Sequence, residues 1–249
     1  MKKAALGLIA IAALIGTPAL AADMALKAPP PAPVYSWTGC YIGIEGGGDW
    51  GSSHHTGPAF GGVDIAAPFS LSGGLVGGTL GCNYQAKQWV FGIEGDGSWT
   101  NKSGSGPDVA PFNTAFVQDT KEQSLGTVRG RLGWTPVPQT LIYATGGVAF
   151  GRVGVDEYVA AAPAFGASDS ATLAGYVVGA GVEWVLPFLK NMSVKAEYLY
   201  VDYGTHRFFN PPITPGNCGC VVADVATNDS IFRVGLNYHF DWVPPMAVK

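Results

Sequence analysis

Ser230 to Phe240 reads S-I-F-R-V-G-L-N-Y-H-F, with Phe232, Val234, Leu236, Tyr238 and Phe240 on one face and Arg233, Asn237 and His239 on the other. Successive strand side chains point to opposite faces, so this is the pattern of a strand with lipid outside and a polar lumen inside. A strand burying its aromatic side in a water-soluble core gives the same alternation. The decision therefore rests on recurrence and context.

The context is an export signal. Lys2 and Lys3 form a positive n-region, Ala4 to Gly16 an apolar h-region, and Ala19-Leu20-Ala21 the small residues that a signal peptidase accepts. The apolar run, about 13 residues broken by Gly16 and Pro18, falls short of the roughly 20 that span a bilayer as a helix. Residues 1–21 are thus expected to be a cleaved secretory signal. Its removal leaves 12 basic against 18 acidic residues, a formal charge of -6, which argues against nucleic acid as a partner. No run of 18 apolar residues follows, which excludes a helical membrane protein. A positive mean hydropathy with only 13% charged residues is unusual for a soluble export and suits a barrel whose outer half faces lipid.

Residues 22–37 are proline-rich and cannot join a sheet interior, because proline lacks the N–H that a ladder needs; they read as an extended periplasmic linker. Eight strands are expected at about 38–50, 73–84, 89–100, 122–134, 140–151, 173–185, 192–204 and 230–240, giving one barrel over 38–240 and a tail over 241–249. The connections 85–88, 135–139 and 186–191 are tight. Those at 51–72, 101–121, 152–172 and 205–229 are long and rich in Gly, Pro, Ser and Asn. Short turns on one side and long loops on the other characterise an outer-membrane barrel. The fold class is all-β, an eight-stranded antiparallel up-and-down transmembrane β-barrel.

Tryptophan placement supports this. Trp37 and Trp50 flank the first strand, Trp89 and Trp99 the third, Trp134 and Trp184 end the fourth and sixth, and Trp242 follows the eighth. Indoles favour the membrane interface, so Trp50, Trp89, Trp99, Trp134 and Trp184, with Phe240, are expected to form aromatic girdles. Ile42 to Trp50 (I-G-I-E-G-G-G-D-W) also echoes Phe91 to Trp99 (F-G-I-E-G-D-G-S-W), which fits growth by hairpin repetition.

Alternation points Glu45, Asp49, Glu94, Asp96, Glu183 and Glu197 into the lumen against Arg129, Arg131, Lys195 and Arg233, with Thr79, Asn83, Thr127, Tyr143, Thr145, Asn237 and His239 between them. Two readings compete. One is a salt-bridged plug, since an eight-stranded barrel has an interior just wide enough for its own side chains. The other is a narrow cation-leaning pore, in which Gly43, Gly77 and Gly181 leave space. The plug is favoured. Cys40 begins the first strand and Cys82 ends the second, both on outward positions near the periplasmic rim, so a cross-strand disulfide is expected. Cys218-Gly219-Cys220 in the last long loop reads as a local disulfide or an external thiol pair rather than a metal site, because no second cysteine pair or histidine cluster accompanies it.

His54, His55 and His206 near the outer strand ends are the candidates for a rim enzyme acting on lipid or peptide. A histidine pair in a Gly/Ser loop is more often a solvated surface feature. No Gly-x-Ser-x-Gly, no His-Glu-x-x-His and no phosphate-cradling loop with a lysine is present. The chain is expected to be no enzyme and to use no cofactor and no metal.

Several segments resemble the small outer-membrane β-barrel proteins of alphaproteobacteria, the porin-family or surface-antigen barrels with an OmpA-like barrel. The carrying residues are W-T-G-C-Y-I-G at 37–43, F-G-I-E-G-D at 91–96, L-G-T-V-R-G-R-L-G at 125–133, Y-A-T-G-G at 143–147, V-G-A-G-V-E at 178–183, V-K-A-E-Y-L-Y-V-D at 194–202 and the last strand. The likeness runs from the linker to Phe240 and implies an eight-stranded barrel in the outer membrane of a Gram-negative cell. Such barrels usually end on an aromatic residue read by the outer-membrane assembly machinery, here Phe240, yet D-W-V-P-P-M-A-V-K follows; an aromatic is also usual where Cys40 and Cys82 stand. The resemblance further implies contact with outer-membrane lipid and lipopolysaccharide, and a mature amino terminus, around Ala22-Asp23, tied to peptidoglycan. The expected work is structural: supporting envelope integrity and presenting loops for surface contact. A small-solute diffusion porin is the main rival and a rim-located lipid-modifying enzyme a distant one.

Overall fold

The computed structural model describes residues 35–189, 191–209 and 222–240. The signal, most of the linker, Cys218, Cys220, Trp242 and the tail lie outside the described residues. Among the described residues nine strands form: β1 (Gly39–Gly57), β2 (Val63–Ala86), β3 (Trp89–Thr100), β4 (Ser103–Pro107), β5 (Phe116–Val137), β6 (Thr140–Val159), β7 (Ala162–Val185), β8 (Met192–Phe208) and β9 (Ala223–His239). All pairings are antiparallel and β1 pairs with both β2 and β9, so the sheet closes into a ring of eight staves. Closure leaves no open edge, which is what permits strands to cross lipid.

The third stave is broken in two. β3 pairs with β2 as far as Leu75↔Thr100, and β4 resumes at Ser72↔Ser103. Between them Asn101 stays on the ladder, its N–H donating to the Gly74 carbonyl and its Oδ1 accepting from the Gly74 N–H, while Lys102 turns into the lumen.

The outside divides into two zones. Ile44, Val76, Leu80, Ile93, Val128, Leu132, Ile142, Val148, Val178, Val182, Tyr198, Phe232 and Val234 are exposed, an apolar belt where lipid takes the place of a protein core. Trp50 and Trp99 lie on its outer side; Trp89, Trp134 and Trp184 lie on its periplasmic side, with Trp89 directly opposite Trp134, and Phe240 is exposed just beyond β9. Beyond Trp50 and Trp99 the alternation inverts. Ser52, His54 and Thr56 on β1 and Arg152, Gly154 and Asp156 on β6 now face outward, whereas Val153, Val155, Val201, Val225 and Ile65 are buried inside. Water has replaced lipid outside, so the apolar side chains move inward.

The four long loops expected at 51–72, 101–121, 152–172 and 205–229 are corrected by this arrangement. Most of these residues continue the strands past the membrane, and the described connections on that side shrink to 58–62, 108–115 and 160–161. The first is a 3-10 turn, Pro58–Phe60, closed by Gly61 and Gly62 at φ 78° and 82°, a conformation glycine adopts at no steric cost. Gly, Ser and Asn read as loop signals; here they occupy strand positions facing water. Register shifts at Glu122/Ser124 and Asp202/Thr205 also reverse which residues point inward, hiding the alternation from a continuous count.

Trp37, which flanks the first strand as Trp50 does, is not at the lipid interface. It is buried inside the periplasmic mouth, with its Nε1–H donating to the Pro138 carbonyl at 3.0 Å and its ring edge-on to Tyr35 and His239. The mouth supplies an apolar floor of Val90, Leu141, Tyr143 and Val185, which a linker-borne indole covers.

Candidate functional site

The lumen is stacked in layers. Above the Trp37 plug lies a charged layer built from β1, β3, β5, β7, β8 and β9. Arg233 contacts Glu45 at 2.5 Å, Asp96 at 2.9 Å and Glu197 at 2.7 Å. Arg129 contacts Glu197 and Asp96 at 2.9 Å and Glu94 at 2.5 Å, while its Nε–H donates to Thr127 at 2.9 Å. Arg131 reaches Glu183 at 2.9 Å and Glu94 at 3.2 Å, and its guanidinium lies 3.9 Å from the Tyr143 ring centroid. Lys195 sits 3.1 Å from Glu45 and 3.4 Å from Glu94. Tyr41 and Tyr143 donate their hydroxyls to Glu94 at 2.5 Å and Glu197 at 3.1 Å. Glu183 additionally accepts from Ser193 at 2.5 Å and Asn237 at 2.8 Å, with His239 at 3.3 Å.

The arginine, lysine, aspartate and glutamate side chains of this layer are 0–1% exposed, so these ions are dry and depend on one another. Taking charges out of water costs several kcal/mol per ion unless partners restore the lost hydration, and here each guanidinium binds at least two carboxylates. Planar bidentate groups suit this role better than ammonium, which explains three arginines to one lysine.

The glycines that could have left a channel do not. A Cβ on Gly43 would run into Asn237, on Gly77 into Ser98, and on Gly181 into the Tyr143 hydroxyl. Each bare position is where a neighbour's side chain crosses the lumen.

Asp49 does not join this network. With Glu122 and Asp229 it surrounds Lys102, whose ammonium contacts all three carboxylates, at 3.3 Å for Asp49. Tyr203 donates to Glu122 at 2.8 Å. Lys102, Glu122 and Asp229 escaped the sequence reading because they fall in or beside stretches read as loops, and because the shift at Glu122/Ser124 changes the inward parity of β5. Outside this second cluster lies the apolar layer of Ile65, Leu125, Val153, Val155, Leu173, Val177, Leu199, Val201, Phe208, Val225 and Ile231.

At the outer end, above the lipid belt, Asp108 and Glu157 are both buried and Gln118 donates to Asp108 at 3.1 Å. Burial, then the neighbouring Asp108 charge, pushes the Glu157 carboxyl up to about 7; burial likewise raises Asp108. The three histidines have separate partners. His54 contacts Asp64 at 2.9 Å, His206 the Tyr203 carbonyl at 2.8 Å, and His55 is buried against Ser53 at 2.9 Å and Thr120 at 3.0 Å. The other ring nitrogen of His55, Nδ1, has no hydrogen-bond partner, so no carboxylate orients the ring toward Ser53 as nucleophilic catalysis requires.

Cys40 and Cys82 are directly opposite on β1 and β2 and are disulfide-bonded, on the outward face next to the periplasmic rim.

A family model described as an outer membrane protein beta-barrel domain matches residues 10–240. The 31 kDa outer-membrane immunogenic protein of Brucella melitensis is 34% identical over 258 residues, covering 94% of this chain and 98% of that protein. The 22 kDa outer membrane protein of Rhizobium leguminosarum bv. viciae is 34% identical over 177 residues, 70% of this chain and 68% of that protein. Among solved structures, the outer membrane protein OprG of Pseudomonas aeruginosa superposes with a TM-score of 0.50 at 14% identity, over 84% of this chain and all of that one. Its likeness speaks for the fold alone. With a closed eight-stave ring, a lipid-facing apolar belt and relatives from the same envelope layer, the chain belongs to the family of outer membrane β-barrel proteins.

Proposed function

We propose that this barrel is a sealed structural element of the outer membrane that holds an extracellular strand extension for surface contact, rather than a diffusion pore or an enzyme. The observation that carries the reading is the buried ion-paired layer of Arg129, Arg131, Lys195 and Arg233 with Glu45, Glu94, Asp96, Glu183 and Glu197, capped by Trp37 on one side and, past the Lys102 cluster, by an apolar layer on the other. An ion crossing such a lumen would have to break several desolvated pairs in sequence. The rim-enzyme reading finds its parts on different histidines: His55 lies against the Ser53 hydroxyl but its Nδ1 has no partner, while His54 meets the Asp64 carboxylate instead of a hydroxyl.

Relatives named as immunogenic outer-membrane proteins support display of the outer end. The lipid belt would contact outer-membrane lipid and the acyl chains of lipopolysaccharide, Phe240 would be read by the assembly machinery, and the linker would connect the plugged mouth to peptidoglycan. Swelling of liposomes carrying the refolded barrel in small sugars tests the sealed reading: no swelling above protein-free vesicles supports it, and size-dependent swelling would replace it with a porin.

A further inference from the structure

Four of the five arginines are held by carboxylates: Arg129, Arg131 and Arg233 in the lumen and Arg207 by Asp224 on the outer surface. The fifth, Arg152, is exposed and has no ion-pair or hydrogen-bond partner among the described residues. Its place on β6 gives this freedom a meaning. Followed outward, the outer face of β6 presents Val148 and Phe150, both exposed, then Arg152, then Gly154 and Asp156. The free cation is thus the first outward residue past the apolar belt on this stave, at the depth where acyl chains give way to headgroups. Its ladder partners are Ser124 on β5 and Thr172 on β7, so a hydroxyl stands on each side of it on the same face. The row formed by Lys121, Gly154 and Ser170 lies just beyond and has no side chain at its centre. The dip is a groove of about 350 Å³, bordered also by Gln123, Asp156 and Asp169.

We propose that the outer face of β5, β6 and β7 around Arg152 binds the phosphorylated sugar headgroup of an outer-leaflet glycolipid, with the phosphate on Arg152, Ser124 and Thr172 and the sugar in the groove over Gly154. The proposal rests on the surface-contact reading above and gives it a site and a ligand class. A guanidinium meets a phosphate through two parallel N–H···O bonds, and a hydroxyl on each side can donate to the remaining oxygens. The groove suits an uncharged sugar better than a second phosphate. Its one cation, Lys121, is already held by Asp119 and Asp156 at 2.9 Å each, and Asp169 accepts the N–H groups of Ser170 and Phe209 at 2.8 Å each. What these bonds leave over is carboxylate lone pairs, the Gln123 amide and the Ser170 hydroxyl, the groups with which sugar hydroxyls pair. Apolar belt, free arginine and polar groove follow one another along a single strand. That is the order of parts in a lipid whose phosphate sits on a sugar next to its acyl chains.

The test refolds the full mature chain in detergent, confirms folding by heat-dependent gel mobility, and counts bound lipid by native mass spectrometry. The probes are lipid A, an acylated glucosamine disaccharide carrying two phosphates, its dephosphorylated form, and inorganic phosphate as competitor. Retention is expected to fall about tenfold when the phosphates are removed and again when Arg152 is replaced in Arg152→Gln, the loss of one charge-assisted pair. Arg207→Gln, which removes an exposed arginine already bound to Asp224, is expected to retain lipid as the wild type does. Equal retention of both lipids, or undiminished retention by Arg152→Gln, would overturn the proposal. Displacement of lipid A by an equal concentration of inorganic phosphate would also overturn it, because the site would then take a free anion. A Cβ on Gly154 meets nothing nearer than the Asp169 carbonyl oxygen at 3.8 Å, so Gly154→Leu fills the groove without disturbing the ladder. It is expected to weaken lipid A retention severalfold, and unchanged retention would overturn the placing of the sugar. Conductance is read separately on the same folded barrel, so failure here is distinguishable from failure of the sealed lumen.

Discussion

Trp37 and Pro138, 101 residues apart, are joined by a hydrogen bond from the indole Nε1–H to the carbonyl oxygen at 3.0 Å. The bond fastens the end of the proline-rich segment to the turn between β5 and β6, and the Trp37 N–H adds a second fastening by donating to Gln85 Oε1 at 2.7 Å. The mouth is therefore closed by a residue that precedes the first strand. Trp37→Ala should destabilise the barrel by about 3–5 kcal/mol, the usual cost of emptying a tryptophan site. Urea unfolding followed by the shift from fast to slow gel mobility measures this; an unchanged midpoint would show that the indole does not pack in the mouth.

Glu197 is shared by Arg129 and Arg233, at 2.9 and 2.7 Å. Glu197→Gln should cost about 3–5 kcal/mol, because it takes one charged partner at once from two desolvated guanidinium groups, whereas adding Arg233→Met should recover part of the loss. A double-mutant cycle by urea unfolding checks this. Strict additivity would mean that the pair is hydrated and acts independently.

The Cys40–Cys82 bond spans 42 residues but links two strands already joined by a continuous ladder. Cys40→Ser with Cys82→Ser should therefore fold to the same gel mobility, with stability lower by at most about 4 kcal/mol from the released loop. Failure to fold would assign the bond a role in assembly that the ladder does not supply.

Glu157 binds its proton more tightly in the folded barrel than in the unfolded chain, with its carboxyl moved from 4.5 to about 7. The folded state thus gains protons in that window, and the Glu157 contribution to stability is full below about pH 4.5 and lost as pH rises through 7. Glu157→Gln should flatten the stability profile between those values and raise stability above pH 7, by on the order of 1–3 kcal/mol. Unfolding midpoints of both proteins across this range are the measurement, and parallel profiles would refute the assignment.

The alternation of Phe232, Val234 and Tyr238 against Arg233 and Asn237 made the membrane part of the barrel legible, because lipid outside and packed charge inside impose opposite chemistries on neighbouring residues. Inward placement of Glu45, Glu94, Arg129, Arg131, Lys195 and Arg233 follows from that period of two. Past the girdles the rule reverses and both faces weaken: Ser52, His54 and Gly154 meet water while Val153 and Val225 are buried, and short β-branched residues spaced among glycines read as loop. Lys102 was hidden for another reason. It turns inward at a break in a stave, and no local pattern marks where a backbone changes course. Trp37 looked like its six counterparts, since only the shape of the mouth separates a plug from a girdle.

The sealed lumen is tested most directly by single-channel recording of the refolded mature barrel in a planar bilayer, after gel mobility has confirmed folding. Paired charges with apolar layers on both sides predict a silent membrane. Steady, protein-dependent conductance steps that change with Glu94→Gln or Arg131→Met would contradict the account and place an open pathway through the layer that these two residues close.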